Sequence, residues 1–177
     1  KPSDIGYSDD GYKLPALNII EHVVGIEDFR LSSDYDDSGV SATKVHKVKR
    51  KHLQERADYV ASLVNNNNDS WVVWCDTDYE ADALVKVIPD AVEVRGSTPE
   101  KKREKLFESF SDGKERVMIS KPEIAGFGLN WQHCHNTTWF AGYSFEKFYQ
   151  AIRRLYRFGQ KHSVECHIIA SEQEQSI

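Results

Sequence analysis

Residues 150–160 read Gln-Ala-Ile-Arg-Arg-Leu-Tyr-Arg-Phe-Gly-Gln. Arg154 and Arg157 are three positions apart, so on a helix they share one face, with Gln150 one turn earlier on it. A helix over 145–158, capped by Ser144, would carry all three. Gly159 would end it, as a glycine just past a helix C-terminus does. Two planar guanidiniums aimed at one point present forked N–H donors and suit the oxygens of a polyphosphate. An isolated Arg-x-x-Arg is more often a solvated basic face. The Gln150 frame before the pair and Gly159-Gln160 after it make a sharper pattern.

Other segments could also do chemistry. Ala125-Gly126-Phe127-Gly128-Leu129-Asn130 is a Gly-x-Gly turn after a predicted strand, where a bare backbone can approach a ligand or phosphate closely. A tight structural turn is the competing reading. The segment does not fit the dinucleotide fingerprint, which needs a third glycine opening a helix and an acid on the next strand. Gly96-Ser97-Thr98 precedes a predicted helix and offers backbone amides to a phosphate, or forms an ordinary capped turn. His133-Cys134-His135 invites a zinc reading, but adjacent residues cannot readily place three ligands on one tetrahedral ion, so no metal site is expected. Trp71, Trp74 and Trp139 read as core. Trp131, beside the glycine-rich segment, is the candidate for stacking on a base.

The elements that must position these residues alternate. Strands are expected over 71–75, 91–94, 116–119, 137–140 and 164–170. Helices are expected over 78–87, capped by Asp76 or Thr77, and over 99–110, with Thr98 as N-cap and Pro99 at the first helical position. A strand–helix rhythm argues for right-handed βαβ units and a parallel sheet covered on both faces, an α/β three-layer sandwich. Ligands then collect at the carboxyl ends of the strands, where 95–98, 120–130 and 141–144 should share one edge. Upstream, 1–42 reads as an irregular lead-in with one possible strand at 18–26 and a Ser/Asp/Gly-rich loop at 31–42. The main domain, 43–177, would open on a long helix over 43–64. Residues 44–56 hold Lys44, Lys47, Lys49, Arg50, Lys51 and Arg56 against one acid, Glu55. These charges cover several helix faces, so a solvated helix is favoured over a DNA-tracking one.

Bulk properties narrow the class. A chain of 177 residues, 40% hydrophobic and 29% charged, fits one ordinary globular domain. No apolar run could span a membrane and no apolar signal region opens the chain. The sole methionine is Met118, so a piece of a longer chain is expected. Three widely spaced cysteines read as free thiols in a reducing compartment. The net charge of -5 does not by itself advertise nucleic-acid binding.

Taken in order, Gly96-Ser97-Thr98-Pro99 with Arg103 and Phe110, then Ala125 to Asn130 with Gln132, then Gln150-Ala151-Ile152 with Arg154, Arg157, Gly159 and Gln160, resemble a known family. The chain is similar over roughly residues 70–170 to the second, RecA-like motor domain of superfamily-two helicases, in the Snf-type branch. Lys1 to Tyr7, Ser144-Phe145-Glu146 and 157–160 are more like phage and prophage members. The resemblance implies an ATP-driven translocase on double-stranded DNA, in the cytoplasm of a phage-infected or prophage-bearing bacterium. It implies ATP and Mg²⁺ in the complete protein, clamped between this lobe and an N-terminal motor lobe. By position Arg157 would be the arginine finger, Arg154 its companion, and Gln150 a nucleotide sensor, with Gly128 and Asn130 at the nucleotide. Gly96, Ser97, Thr98 and Lys121 would face DNA. Lys121-Pro122-Glu123 stands where the family has a hydroxyl residue, and Tyr143-Ser144-Phe145 replaces its Trp-Asn-Pro.

The chain has no Gly-x-x-x-x-Gly-Lys-Ser/Thr, since Gly113-Lys114 runs into Glu115, and no Asp-Glu box follows a strand. It is therefore expected not to hydrolyse ATP alone. Two other readings stay open. One is a non-catalytic α/β interaction module derived from a helicase lobe. The other is a stand-alone nucleotide-binding enzyme, which lacks a phosphate loop and an acid/base pair.

Overall fold

A computed structural model of the chain describes residues 2–7, 13–25, 50, 52–125, 129–140 and 144–171. Among these residues six strands, β1 (Leu17–Val23), β2 (Trp71–Trp74), β3 (Ala91–Val94), β4 (Val117–Ser120), β5 (Asn136–Phe140) and β6 (Val164–Ala170), form one sheet in the order β1-β6-β5-β2-β4-β3. Every pairing is parallel. The helices are α1 (Leu53–Val64), α2 (Asp78–Val87), α3 (Glu100–Ser111) and α4 (Phe145–Ile152).

The layering follows from the period-2 alternation of the strands. Trp71 and Val73 of β2, with Val117 and Ile119 of β4, pack under α1 and α2 against Ala57, Val60, Val64 and Leu84. Val72 and Trp74, with Met118, point the other way, onto Phe107 and Phe110 of α3 and Ala151 and Ile152 of α4. Central strands buried on both faces read as continuous apolar runs, and β2 and β4 do so. The expected three-layer α/β sandwich is the observed fold. Among the described residues no helix is long and apolar enough to cross a membrane.

Local chemistry sets the ends of the elements. Thr77 accepts from the Glu80 amide while Glu80 reaches back to the Thr77 amide, a reciprocal capping box that starts α2. The Glu80 carboxylate also accepts from the Asp76 amide at 2.9 Å, so one buried side chain orders the turn after β2. Arg56 of α1 lies 3.7 Å from that carboxylate and 4.9 Å from the centre of the Phe140 ring. The solvated-helix reading of the basic tract therefore fails at Arg56, which is wholly buried. Residues 44–49 and 51 lie outside the described residues, as does the loop expected over 31–42.

Two differences from expectation concern residues that the sequence singles out. Thr98 does not cap α3: its hydroxyl accepts from the Arg95 amide at 3.0 Å and closes the turn before Pro99. The helix expected over 145–158 stops at Ile152. Ser144 caps it as expected, accepting from the Lys147 amide at 3.3 Å.

The strand expected near 18–26 is β1, and it joins the sheet edge beside β6, Leu17 opposite Val164 and Val23 opposite Ala170. His22 Nε2 lies 2.8 Å from His167 Nδ1, and the Tyr59 hydroxyl lies 2.8 Å from His22 Nδ1. This chain of polar groups ties β1 to β6 and to α1.

Candidate functional site

All six strands run the same way, so their carboxyl ends share one edge. The turns after β2, β3 and β4 and the start of α4 gather there. Trp74, Cys75 and Asp76 after β2, Pro122 after β4, Trp139 and Phe140 of β5, and Ser144 and Lys147 of α4 enclose a cavity of about 220 Å³.

Both arginines follow α4, in turns rather than on a shared helical face. The Arg153 amide still bonds Tyr149 O in helical fashion at 3.1 Å, but the Arg154 and Leu155 amides bond Ala151 O and Ile152 O three residues back. The helical-face geometry for Gln150, Arg154 and Arg157 is thereby corrected. Gln150 is exposed and donates to Glu146 Oε1 at 3.0 Å.

Arg154 is buried, 8% exposed. Its Nη2 sits 3.5 Å from Pro122 O, and its Nε has no hydrogen-bond partner among the described residues. Burial holds its guanidinium below the usual arginine range. A buried cation this sparsely paired is costly and calls for an anion. Arg157 is half-buried, and among the described residues its guanidinium makes no ion pair or hydrogen bond. Arg154 thus keeps a donor free beside the loop that follows β4, three residues before Arg157 in the same turn.

The remaining candidates fall differently. Gly128 lies outside the described residues, and Asn130 is exposed. Gly96 and Ser97 are exposed at the tip of the turn that Thr98 closes. Lys121 pairs with Asp78 Oδ1 at 2.9 Å, which raises its pKa against the opposing effect of burial, itself the largest influence on it. Glu123 pairs with Lys147. The loop's two charges are each neutralised internally, so Lys121 is a compensated cation rather than a bare one. Trp131 is not a base platform. It is fully buried, stacked on Trp74 at 5.9 Å and edge-on to Phe110 at 5.2 Å, and its indole donates to Ser111 Oγ at 3.1 Å.

Sequence reasoning passed over Gln132 as a side chain with work to do, and over the contacts of Gln160. Gln132 Nε2 donates to Phe158 O, and Gln160 is buried with both ends of its amide engaged. A glutamine near a glycine turn carries no periodic signal, so only the fold reveals these bonds.

A single parallel six-stranded sheet with helices on both faces and an arginine-bearing turn after α4 is the fold of a RecA-like helicase C-terminal lobe. The chain belongs to the helicase conserved C-terminal domain family, whose model matches residues 53–159. No curated protein matches its sequence. Its fold is similar to the C-terminal part of the Fun30 ATPase domain (TM-score 0.60, 17% identity, 77% of this chain and 52% of that one). It is also similar to the C-terminal domain of the DEAD-box protein Dbp5 (0.58, 17%, 69% and 73%). T4 UvsW shares the fold too (0.56, 10%, 75% and 28%). The chain thus spans about half of the Fun30 structure and less than a third of UvsW.

Proposed function

We propose that this chain is the second motor lobe of an ATP-dependent DNA translocase or helicase, of the Snf type and related to phage and prophage members. It would work in the bacterial cytoplasm on double-stranded DNA. The observation that carries the reading is the Arg154–Arg157 turn: one guanidinium buried and under-partnered, the other without a partner among the described residues, both following α4.

In this reading a first lobe supplies the phosphate loop and the carboxylates that hold Mg²⁺. Bound ATP supplies a transferable phosphoryl group whose equatorial oxygens gather charge in the transition state. Arg157 offers its N–H donors to those oxygens from a half-buried position, where a guanidinium acts more strongly than in water. Arg154, fixed against Pro122 O, holds a second positive charge beside it. Gln150, on the exposed side of α4, reaches toward the nucleotide. Gly96, Ser97 and Thr98 present exposed backbone to the DNA phosphates, with Lys121 adding what field its pairing with Asp78 leaves.

The deciding experiment is DNA-stimulated ATPase of the protein carrying both lobes, wild type beside Arg157→Ala. Loss of about 10³–10⁵-fold in kcat is expected. Activity unchanged by the substitution overturns the assignment.

The internal pairing of Lys121 and Glu123 favours a second reading, a non-catalytic interaction module that kept the fold. That reading predicts no ATPase in the wild type on any DNA.

A further inference from the structure

The turn that carries both arginines has almost no regular structure of its own. Between Ile152 and Val164 no helix or strand supplies a hydrogen-bond ladder, so the aim of each guanidinium depends on what grips the backbone from outside. Three grips are present. The Trp131 amide donates to Arg154 O at 3.0 Å. Gln132 Nε2 donates to Phe158 O. Gln160 Nε2 donates to Leu155 O at 3.2 Å and to Cys134 O at 3.0 Å, while its Oε1 accepts from the Lys161 and His162 amides, each at 2.9 Å.

Gln160 is 5% exposed. Two carbonyls on one side of its amide and two N–H groups on the other fix its orientation and use every bond it is asked to make. Gly159 beside it adopts φ +94°, and a Cβ there would lie 2.8 Å from Gln132 Oε1. The glycine therefore lets the Gln132 side chain reach its carbonyl.

The geometry points to Gln132 and Gln160 as positioning residues, which lock the arginine turn to the stretch between β4 and β5. This rests on the function proposed above, because positioning matters only if the arginines meet a reacting phosphoryl group. Neither glutamine touches that group. Gln132 acts through the backbone of Phe158 and Gln160 through that of Leu155. A misplacement of about 1 Å at such a remove can cost on the order of 10²-fold in rate.

Gln160→Glu gives the sharpest test, in the protein carrying both lobes. The carboxylate still accepts from Lys161 and His162 but faces the Cys134 and Leu155 carbonyls with no proton to donate. Protonated, it donates again. The expected result is a fall in kcat and kcat/KM together, on the order of 10²-fold at pH 8, with KM for ATP unchanged. The deficit relative to wild type should shrink as pH falls and the carboxyl protonates. Gln132→Ala, at a less buried site, should lower kcat in the same manner with Tm close to wild type. If Gln160→Glu fails to fold at every pH, Gln132→Ala decides alone. A folded Gln132→Ala with wild-type kcat, or one that raises KM and keeps kcat, overturns the proposal. Arg157→Ala measured alongside separates the two claims. Loss there with no loss in the glutamine variants sinks only the positioning role, and no loss at Arg157 sinks the function beneath it.

Discussion

Arg56 and Glu80 face each other at 3.7 Å with both side chains wholly withdrawn from solvent, one on α1 and one at the start of α2. Removing Arg56 takes the ion-pair partner from a carboxylate that is itself wholly buried. Arg56→Leu is expected to destabilise the fold by about 3–5 kcal/mol, the cost of an uncompensated buried charge. The double replacement Arg56→Leu with Glu80→Gln should cost less than the single change, because the amide still accepts from Asp76 and Thr77. Urea denaturation of the four species checks this. A double variant no more stable than Arg56→Leu would mean that the pair is not coupled.

The His22–His167 pair makes stability depend on pH. Burial lowers both pKa values below the ordinary 6.5, and at His167 the charge of His22 adds to the lowering while Glu165 opposes it. Below that ordinary value the unfolded chain takes up protons that the folded chain refuses. The contribution is therefore complete above about pH 6.5 and declines as pH falls through 6.5 toward the lower folded values. Thermal melts should give a lower Tm at about pH 5.5 than at about pH 7.5, and His167→Gln should flatten that slope. A wild-type Tm independent of pH in this window would contradict the account.

Gly159→Ala is expected to cost about 1–3 kcal/mol, since a positive φ strains any side chain there. The added methyl also displaces Gln132. Gly96→Ala is the contrasting case, as the nearest atom to its new Cβ, Ile124 Cδ1, is 3.9 Å away. Comparing the two melts isolates backbone strain and crowding from loss of a glycine as such.

The three cysteines should resist alkylation while the protein is folded. Burial pushes the Cys134 and Cys166 thiols up to about 12 and raises Cys75 as well, so little thiolate exists near neutrality. Iodoacetamide at pH 8 should label them slowly in buffer and all three promptly in urea. Fast labelling of native protein would show that one of them is reachable.

The alternation of strands and helices was legible because the central strands are short, largely apolar and bounded by polar turns, while α2 and α4 carry their own capping side chains, Thr77 with Glu80 and Ser144. What was not legible is tertiary. Arg153, Leu155 and Tyr156 are tolerable helix formers, yet the helix ends at Ile152 because the carbonyls of Arg154 and Leu155 bond outside the helix, to Trp131 and Gln160. Thr98 reads as an N-cap from sequence, but its hydroxyl finds the Arg95 amide first. Arg56 sits in a basic tract that looks solvated, and only the fold brings Glu80 beneath it. In the candidate site the residue types were legible and their geometry was not. The arginines stand out by their spacing, but they lie on a turn instead of a helical face.

The ladder between β1 and β6 joins residue 17 to residue 164, nearly the full length of the chain. Such a pairing is slow to close, because the intervening chain must be ordered before the contact rewards it. During synthesis β1 emerges ahead of the other strands of this sheet and must wait, unpaired, until β6 has left the ribosome. Until then the flank of β6's future position stays open beside β5. The earliest of these six strands is thus the last to be seated, and a nascent chain stalled before residue 164 would hold only β5-β2-β4-β3 in order, with β6 unmade and β1 unpaired. The exposed strand edge in that interval is where a chaperone, or a second nascent chain, would find its purchase.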